Sequence, residues 1–397
     1  MEVERATLAD QRPYIDQVFA GTRTLLSFVV RMNREPVRSP TRSVANQEFH
    51  AVYDSVNDTA RRIVRALQER GIRACNAVAA FPMEVELPGR GWMVAHKPVA
   101  VAAGLGQIGI HRSVIHPKFG SFVLLGTVLI GHHVTNYDQP IDYNPCLGCK
   151  LCVAACPVGA IKPDGAFDFI TCYTHNYREF LSNFGDWVGA VTDAKNYKDY
   201  RSRVSDGETN SVWQSLSFKP GYKAAYCIAV CPAGEDVVNP FLEDRKQHRD
   251  AVVAPLTQRN ETLYVLPGSD AETYAARRFP HKHQKRVRNQ LRLTSARMFL
   301  DGLKLSFQRG RSKGLSAVYH WSFVGDEEVR ATVCIDGGKL DVVTGHQGDP
   351  DISITADSNT WLKIVNREYS ILTALILRKV RVKGDLALLR AFSRCFP

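Results

Sequence analysis

Cys146, Cys149, Cys152 and Cys156 stand in the run Cys-Leu-Gly-Cys-Lys-Leu-Cys-Val-Ala-Ala-Cys, closed by Pro157. Thiolates are soft ligands, and C-x2-C-x2-C-x3-C-P spacing wraps three sulfurs around one iron–sulfur cube and sends the fourth to a second cube. Farther along, Cys227-Ile228-Ala229-Val230-Cys231-Pro232 repeats the end of that run. Cys231 precedes a proline as Cys156 does. It is therefore expected to complete the first cube with Cys146, Cys149 and Cys152, while Cys156 serves the second.

The rest of the cysteine usage agrees with iron. Seven of the ten cysteines fall between Cys146 and Cys231, and the others are scattered at Cys75, Cys334 and Cys395. Iron ligation in a reducing compartment accounts for this better than a disulfide framework. A chain of 397 residues, 45% apolar, is long enough for two or three packed domains. Met1 to Gly21 carries Glu2, Glu4, Arg5, Asp10 and Arg12 and lacks the apolar core of a secretory signal. The longest apolar run, Phe122 to Ile130, is too short to cross a bilayer, which takes about 20 residues. A soluble, cytoplasmic protein with no transmembrane segment is expected. The net charge of +11 suits a nucleic-acid or anionic-membrane partner, but it is unevenly placed. Arg277 to Arg297 holds eight Arg or Lys and no acid, which reads more simply as a solvated basic connector.

Elements must position these cysteines. Val52 to Arg70 places Val56, Ala60, Ile63, Val64 and Leu67 at helical spacing, and Gly71 ends it. Leu25 to Val30 and Ala77 to Phe81 read as strands, an alternating α/β start. His96-Lys97-Pro98 leads into a glycine turn, Gly104-Leu105-Gly106-Gln107-Ile108-Gly109, followed by strand-like Phe122 to Ile130. Glycines this close let the backbone approach a ligand or another element, so Gly104, Gly106 and Gly109 are candidate cofactor-binding positions. The letters also fit a dinucleotide fingerprint, but no clear strand precedes them and no acid follows until Asp138, which argues against nicotinamide.

The run His96 to Gly109, then Pro117 to Ile130, then the cysteine motif, resembles the core shared by epoxyqueuosine reductases and reductive dehalogenases, over roughly residues 20–235. The resemblance implies an α/β, nitroreductase-like core that binds cobalamin, with a two-cluster ferredoxin-type insert feeding it single electrons from an external donor. It also implies that the second cube takes Cys156, the lone Cys172, Cys227 and one further cysteine. Ala224 occupies the place of that last ligand. Three thiolates cannot complete four iron corners. A three-iron cluster, an open or substituted corner, and a lost cluster all remain, with Cys75, His175 or a bound small molecule as candidate donors. One more departure concerns protons. The reductases carry an Asp shortly ahead of the Ala-Gly-Leu-Gly turn, whereas Pro88 to Ala102 holds no carboxylate, leaving Arg90, His96 and Lys97 as the polar groups there. Between Cys172 and Cys227, a long stretch without strong periodicity reads as a lid or a surface loop.

The C-terminal third changes character. Met298, Leu300, Leu303 and Phe307 suggest an amphipathic helix. Strands are expected over Ala317 to Phe323, Val329 to Ile335, Lys339 to Thr344 and Asp351 to Thr355, and helices over Trp361 to Val365, Ile371 to Leu377 and Leu386 to Phe392. With Asp336-Gly337-Gly338-Lys339-Leu340 and Val380-Arg381-Val382-Lys383-Gly384-Asp385, this separate α+β domain resembles the sterol-carrier-protein family, which implies a lipid or other hydrophobic ligand. A packing or dimerisation module that kept the fold alone is the competing reading.

The expected organisation is an α/β catalytic-type domain over 1–140, a ferredoxin-type module over 141–240, a basic linker over 241–294 and the sterol-carrier-like domain over 295–397. The expected function is an iron–sulfur oxidoreductase with 4Fe-4S clusters and no assigned catalytic residue. The alternatives are a non-catalytic electron carrier or lipid-binding protein, and a cobalamin-dependent reductase acting on a transfer-RNA base or an organohalide.

Overall fold

The computed structural model describes residues 1–84, 92–143, 146, 148–288 and 292–397. Two compact units emerge: Met1–Pro157 with Ile161–Phe167 and Phe218–Asn260, and Val158–Ala160 with Asp168–Ser217 and Glu261–Pro397. No described helix is long and apolar enough to cross a membrane.

In the first unit, β1 (Thr24–Arg31) is followed by helices α1 (Arg34–Arg38) and α2 (Arg42–Gln68), then β2 (Ala74–Asn76), helix α3 (His96–Ala102) and β3 (Val123–Ile130). β3 is the central strand, antiparallel to β1 from Thr24↔Ile130 to Arg31↔Val123 and to β2 from Ala74↔Ile130 to Asn76↔Val128. This all-antiparallel sheet differs from the α/β start expected. Helices separate the strands in sequence, but no parallel crossover results. Gly126 sits at its middle, where an added Cβ would strike the Phe28 ring.

The helix expected from Val52 begins ten residues earlier, because Ala45 and Phe49 continue the buried stripe of Val52, Val56, Ala60 and Val64. Ala77 to Phe81 is not a strand. Ala79 N–H donates to Asn57 Oδ1 at 3.3 Å and the Val78 carbonyl meets His96 Nε2 at 2.8 Å, so side chains take the place of a ladder.

The cysteine motif is not a separate module. Ala155, Ala224, Tyr226, Ala229 and Val230 share one core with Met32, Phe49, Val52 and Phe122. Nor is 241–294 a linker. Its first part forms helices such as Ala254–Thr257, and Leu256 is fully buried. Its second part folds as Thr262–Val265, helix Asp270–Arg278 and His283–Arg286, with the two strands parallel. Basic residues are accommodated by pairing, as where Lys282 meets Glu261 at 2.6 Å with both side chains buried.

In the second unit, the stretch after Cys172 is helical rather than a loop, with helices Arg178–Leu181, Asn183–Thr192, Tyr197–Arg203 and Asp206–Ser217. They are joined by polar contacts that hydrophobic periodicity does not reveal. Arg178 pairs with Asp186 at 2.7 Å and lies over the Tyr264 ring, and Trp187 Nε1 donates to Tyr200 at 2.9 Å. The C-terminal part follows the expected pattern. Helix Ala296–Ser306 precedes β4 (Ser316–Val324), β5 (Val329–Asp336), β6 (Lys339–Thr344), β7 (Ile352–Asp357) and β8 (Val380–Gly384), in sheet order β6-β5-β4-β7-β8. β8 was missed in the sequence because its Arg and Lys alternate with valine on an edge strand. The β4–β7 pair is parallel and the others antiparallel. Phe299, Trp321, Phe323, Trp361 and Phe392 fill the core, with the Trp321 and Trp361 rings 4.7 Å apart.

Candidate metal centre

Two short helices carry the centre, and they are copies of one device. Cys149-Lys150-Leu151-Cys152 opens the helix Leu151–Ala155, and Ala224-Ala225-Tyr226-Cys227 opens the helix Tyr226–Ala229. In each, the residue before the helix is left-handed, Lys150 at φ 52° and Ala225 at φ 51°. Such a conformation is strained for a residue with a side chain. Its recurrence at matching positions marks it as part of the fold. The two helices pack on each other, and each is followed by its Cys-Pro.

Cys152, Cys156 and Cys231 are buried, while Cys146, Cys149 and Cys227 are partly covered, and none is disulfide-bonded. Burial pushes the Cys152 thiol strongly upward, and the neighbouring Cys227, Cys231, Cys149 and Cys146 push it further. Cys231 is raised to about 11, first by burial and then by Cys149 and Cys146, although the Ala233 N–H and the Ser121 hydroxyl hold it back. Cys227 is raised to about 12 by burial and then by Cys156, with Lys97 opposing. Cys152, Cys227 and Cys231 therefore each lie within electrostatic reach of other cysteines of the two motifs. Cys146, Cys149, Cys152 and Cys231 form one group, Cys156 and Cys227 adjoin it, and Cys152 touches both groups electrostatically. Ile110 N–H donates to Cys146 Sγ at 3.4 Å.

Among the described residues, no three His, Cys, Asp or Glu side chains converge on one ion-sized point. A cube binds one sulfur at each iron corner, so its ligands surround a larger body than a single ion does. The donor set fits it: uncharged thiols gathered in a buried place hold their protons, and only a strongly positive partner such as iron makes four adjacent thiolates favourable.

The remaining candidates are placed as follows. Cys172 lies on the helix Phe169–His175 of the second unit. Ala224 is buried. Cys75 lies on β2 with its sulfur 3.8 Å from the Asn76 carbonyl, and His175 Nδ1 accepts from Tyr264 N–H at 3.3 Å. The glycine turn follows helix α3, not a strand, contrary to a dinucleotide site. A Cβ on Gly104 would strike the Gln139 carbonyl and one on Gly106 the Ile115 carbonyl, so the chain itself fills the approach these glycines permit. At Gly109 the neighbours are Ile115 Cδ1 and the His111 ring.

Arg90 lies outside the described residues. His96 is committed at both nitrogens, meeting Thr127 Oγ1 and the Val78 carbonyl at 2.8 Å each, and burial lowers its pKa. Lys97 Nζ donates to the Arg112 carbonyl at 2.7 Å. Two features escaped sequence reasoning. His111 is buried and its Nδ1 accepts from Ser113 N–H at 3.1 Å, while its Nε2 has no hydrogen-bond partner among the described residues. Burial, reinforced by Lys97, lowers its pKa to about 4. The second feature is a line of arginines, Arg34, Arg38 and Arg42, whose four-residue spacing was a legible signal.

Residues 140–162 match the 4Fe-4S binding domain family, and residues 303–397 match the SCP-2 sterol transfer family. The epoxyqueuosine reductase of Bacillus cereus is 36% identical over 172 residues, 41% of this chain and 36% of that protein. That of Synechococcus sp. is 35% identical over 155 residues, 36% of this chain and 43% of that protein. The chain thus spans less than half the length of these relatives. Among solved structures, the epoxyqueuosine reductase from Streptococcus thermophilus has 16% identity, a TM-score of 0.35 and 60% coverage of both chains. Palmitated SCP2L2 from Aedes aegypti has 18% identity and a TM-score of 0.21, covering 25% of this chain and 95% of that one. The chain joins a region similar to epoxyqueuosine reductases, with a 4Fe-4S motif, to a C-terminal SCP-2 region.

Proposed function

We propose that this protein is an iron–sulfur oxidoreductase whose clusters take single electrons from an external donor and pass them to a redox centre or substrate in the first unit. The observation that carries the reading is the doubled device: two cysteine-bearing helices with the same left-handed entry, packed together in one core with the thiols in mutual electrostatic reach. Cys146, Cys149, Cys152 and Cys231 would hold the first cluster, and Cys156 and Cys227 would serve the second, with Ala224 standing where a further cysteine ligand is expected. The clusters supply reversible one-electron chemistry. The chain's own residues supply the sulfur ligands, a hydrogen bond to one of them from Ile110 N–H, and an apolar surround that excludes water.

The relatives' name favours a second reading, a reductase acting on a modified transfer-RNA base. The absence of a carboxylate between Pro88 and Ala102, and the engagement of His96 at both nitrogens, argue against the same protonation chemistry here. For cobalamin, the glycine turn is no cradle, since its own chain fills it. The SCP-2 region supports a hydrophobic substrate or ligand, and its aromatic core supports equally a packing module.

The deciding experiment is anaerobic purification of the full chain with iron and sulfide counting, electron paramagnetic resonance (EPR) spectra and mass spectrometry of released small molecules. About seven or eight irons per chain are expected. A corrinoid or flavin among the released molecules identifies the redox centre, while cluster bands alone favour an electron carrier. A protein that stays colourless after reconstitution overturns the reading.

A further inference from the structure

We propose that Arg38 is the counter-cation of the cluster that Cys231 helps to hold, and that it sets how readily this cluster accepts an electron. The inference rests on the iron–sulfur reading above and adds to it a residue outside the cysteine motifs.

Helix α1 packs against Tyr226–Ala229, the helix that leads to Cys231. The guanidinium carbons of Arg34 and Arg38 stand 5.2 and 5.4 Å from the centroid of the Phe122 ring, and Phe122 is fully buried in the core that includes Ala229 and Val230. The two arginines are not equally neutralised. Arg34 is paired with Asp236. Arg38 has Glu35 beside it at 3.7 Å, but that carboxylate is 88% exposed and spends its charge on water. Meanwhile Arg38 Nε and Nη2 are buried and have no hydrogen-bond partner among the described residues. A buried guanidinium with unspent donors and a weak counter-ion is costly unless an anion stands nearby.

Burial draws the Arg38 pKa down, and Glu35, Asp236 and Cys231, in that order, draw it back up. Asp236 is 56% exposed and already paired with Arg34, which leaves the sulfur of Cys231 as the buried anionic group among them. Around the same turn, His248 Nε2 donates to the Val230 carbonyl at 3.2 Å and Ser121 Oγ donates to the Ile228 carbonyl at 3.1 Å, so the backbone entering Cys231 is held firmly. A cluster with four thiolate ligands is a net anion, and accepting one electron from the external donor deepens that charge without making or breaking a bond. A fixed cation beside it makes the reduced state easier to reach, which is how net charge and surroundings tune these potentials.

The test is an EPR-monitored redox titration of the full-length protein, reconstituted anaerobically, as wild type, Arg38→Gln and Arg38→Lys. The expected result is an unchanged iron count, a more negative midpoint in Arg38→Gln and a midpoint near wild type in Arg38→Lys. A role in packing alone would lower the melting temperature and leave the midpoint in place. An unmoved midpoint in Arg38→Gln with the cluster present overturns this inference alone. Absence of any cluster in the wild type, visible in the spectrum before a potential is measured, overturns the iron–sulfur reading with it. Should Arg38→Gln fail to assemble the cluster, Arg38→Met, which keeps the apolar stem and removes the charge, replaces it. Its midpoint must also move negative, and no shift overturns the proposal.

Discussion

Lys150 and Ala225 occupy equivalent positions in two copies of one turn, with φ of 52° and 51°. The equivalence extends along both segments: Cys152 matches Cys227, Cys156 matches Cys231, each followed by proline, and Cys149 matches Ala224. The second copy keeps the backbone of the first turn, with Ala224 where the first has Cys149.

That relationship sets the first expectation. Glycine adopts the left-handed region freely, whereas a side chain there costs about 1 kcal/mol. Lys150→Gly should therefore keep the cluster and hold or raise stability by up to about 1 kcal/mol, and Lys150→Val should lower it by about 1–2 kcal/mol. Thermal melts of the three proteins, read beside cluster absorbance, check both signs.

Ala224→Cys should return a thiolate to the vacant ligand place. The helix Tyr226–Ala229 and its left-handed entry are already in position, so the added sulfur requires no change of backbone. Iron content should rise or hold, and any EPR signal of a three-iron cluster should disappear. An unaltered signal with unchanged iron would show that this position does not face a cluster.

Lys282 and Glu261 form an ion pair at 2.6 Å whose side chains are 0% and 6% exposed. Removing one partner breaks a buried ion pair, so Lys282→Met should destabilise the second unit by about 3–5 kcal/mol. The same substitution in a solvated connector would have no measurable effect. Urea unfolding distinguishes the two.

His111 is neutral in the folded chain, its pKa lowered from 6.5 to about 4 by burial and by Lys97. In the unfolded chain it takes up a proton near 6.5, so the unfolded state binds more protons between those values. The stability tied to its neutral form is complete above pH 6.5 and is lost as pH falls toward 4, to a limit of about 3 kcal/mol. His111→Phe should be less sensitive than wild type when urea midpoints at pH 7 and pH 5 are compared. It also removes the unpaired Nε2. Equal losses in the two proteins would show that His111 is not the group titrating.

A transfer-RNA partner would declare itself through salt. Binding that neutralises phosphates weakens steeply as salt rises, by counterion release. A filter-binding series over rising potassium chloride should show this if the reductase reading holds, and a flat response removes it.

The cysteines proposed as ligands could be singled out in the sequence because ligand spacing along a chain is a local property. Residue types and short intervals determine which sulfurs can reach one body. Apart from β8, the C-terminal strands and helices were legible too, since Ala317, Tyr319, Trp321 and Phe323 alternate along β4, and Ala331, Val333 and Ile335 along β5. Tertiary structure decided what depends on distant partners. The helices after Cys172 are held by Arg178 with Asp186 and Trp187 with Tyr200, pairings that hydrophobic period cannot register. The stretch after residue 241 looked like a solvated connector because charge content says nothing of pairing, and burial of Lys282 against Glu261 reverses that reading. Gly104 and Gly106 looked like room for a ligand, yet only the folded chain shows that the carbonyls of Gln139 and Ile115 use it. Sequence determined which groups can do redox chemistry here, and packing determined which cations and hydrogen bonds surround them, because desolvation and Coulomb attraction act between residues far apart along the chain.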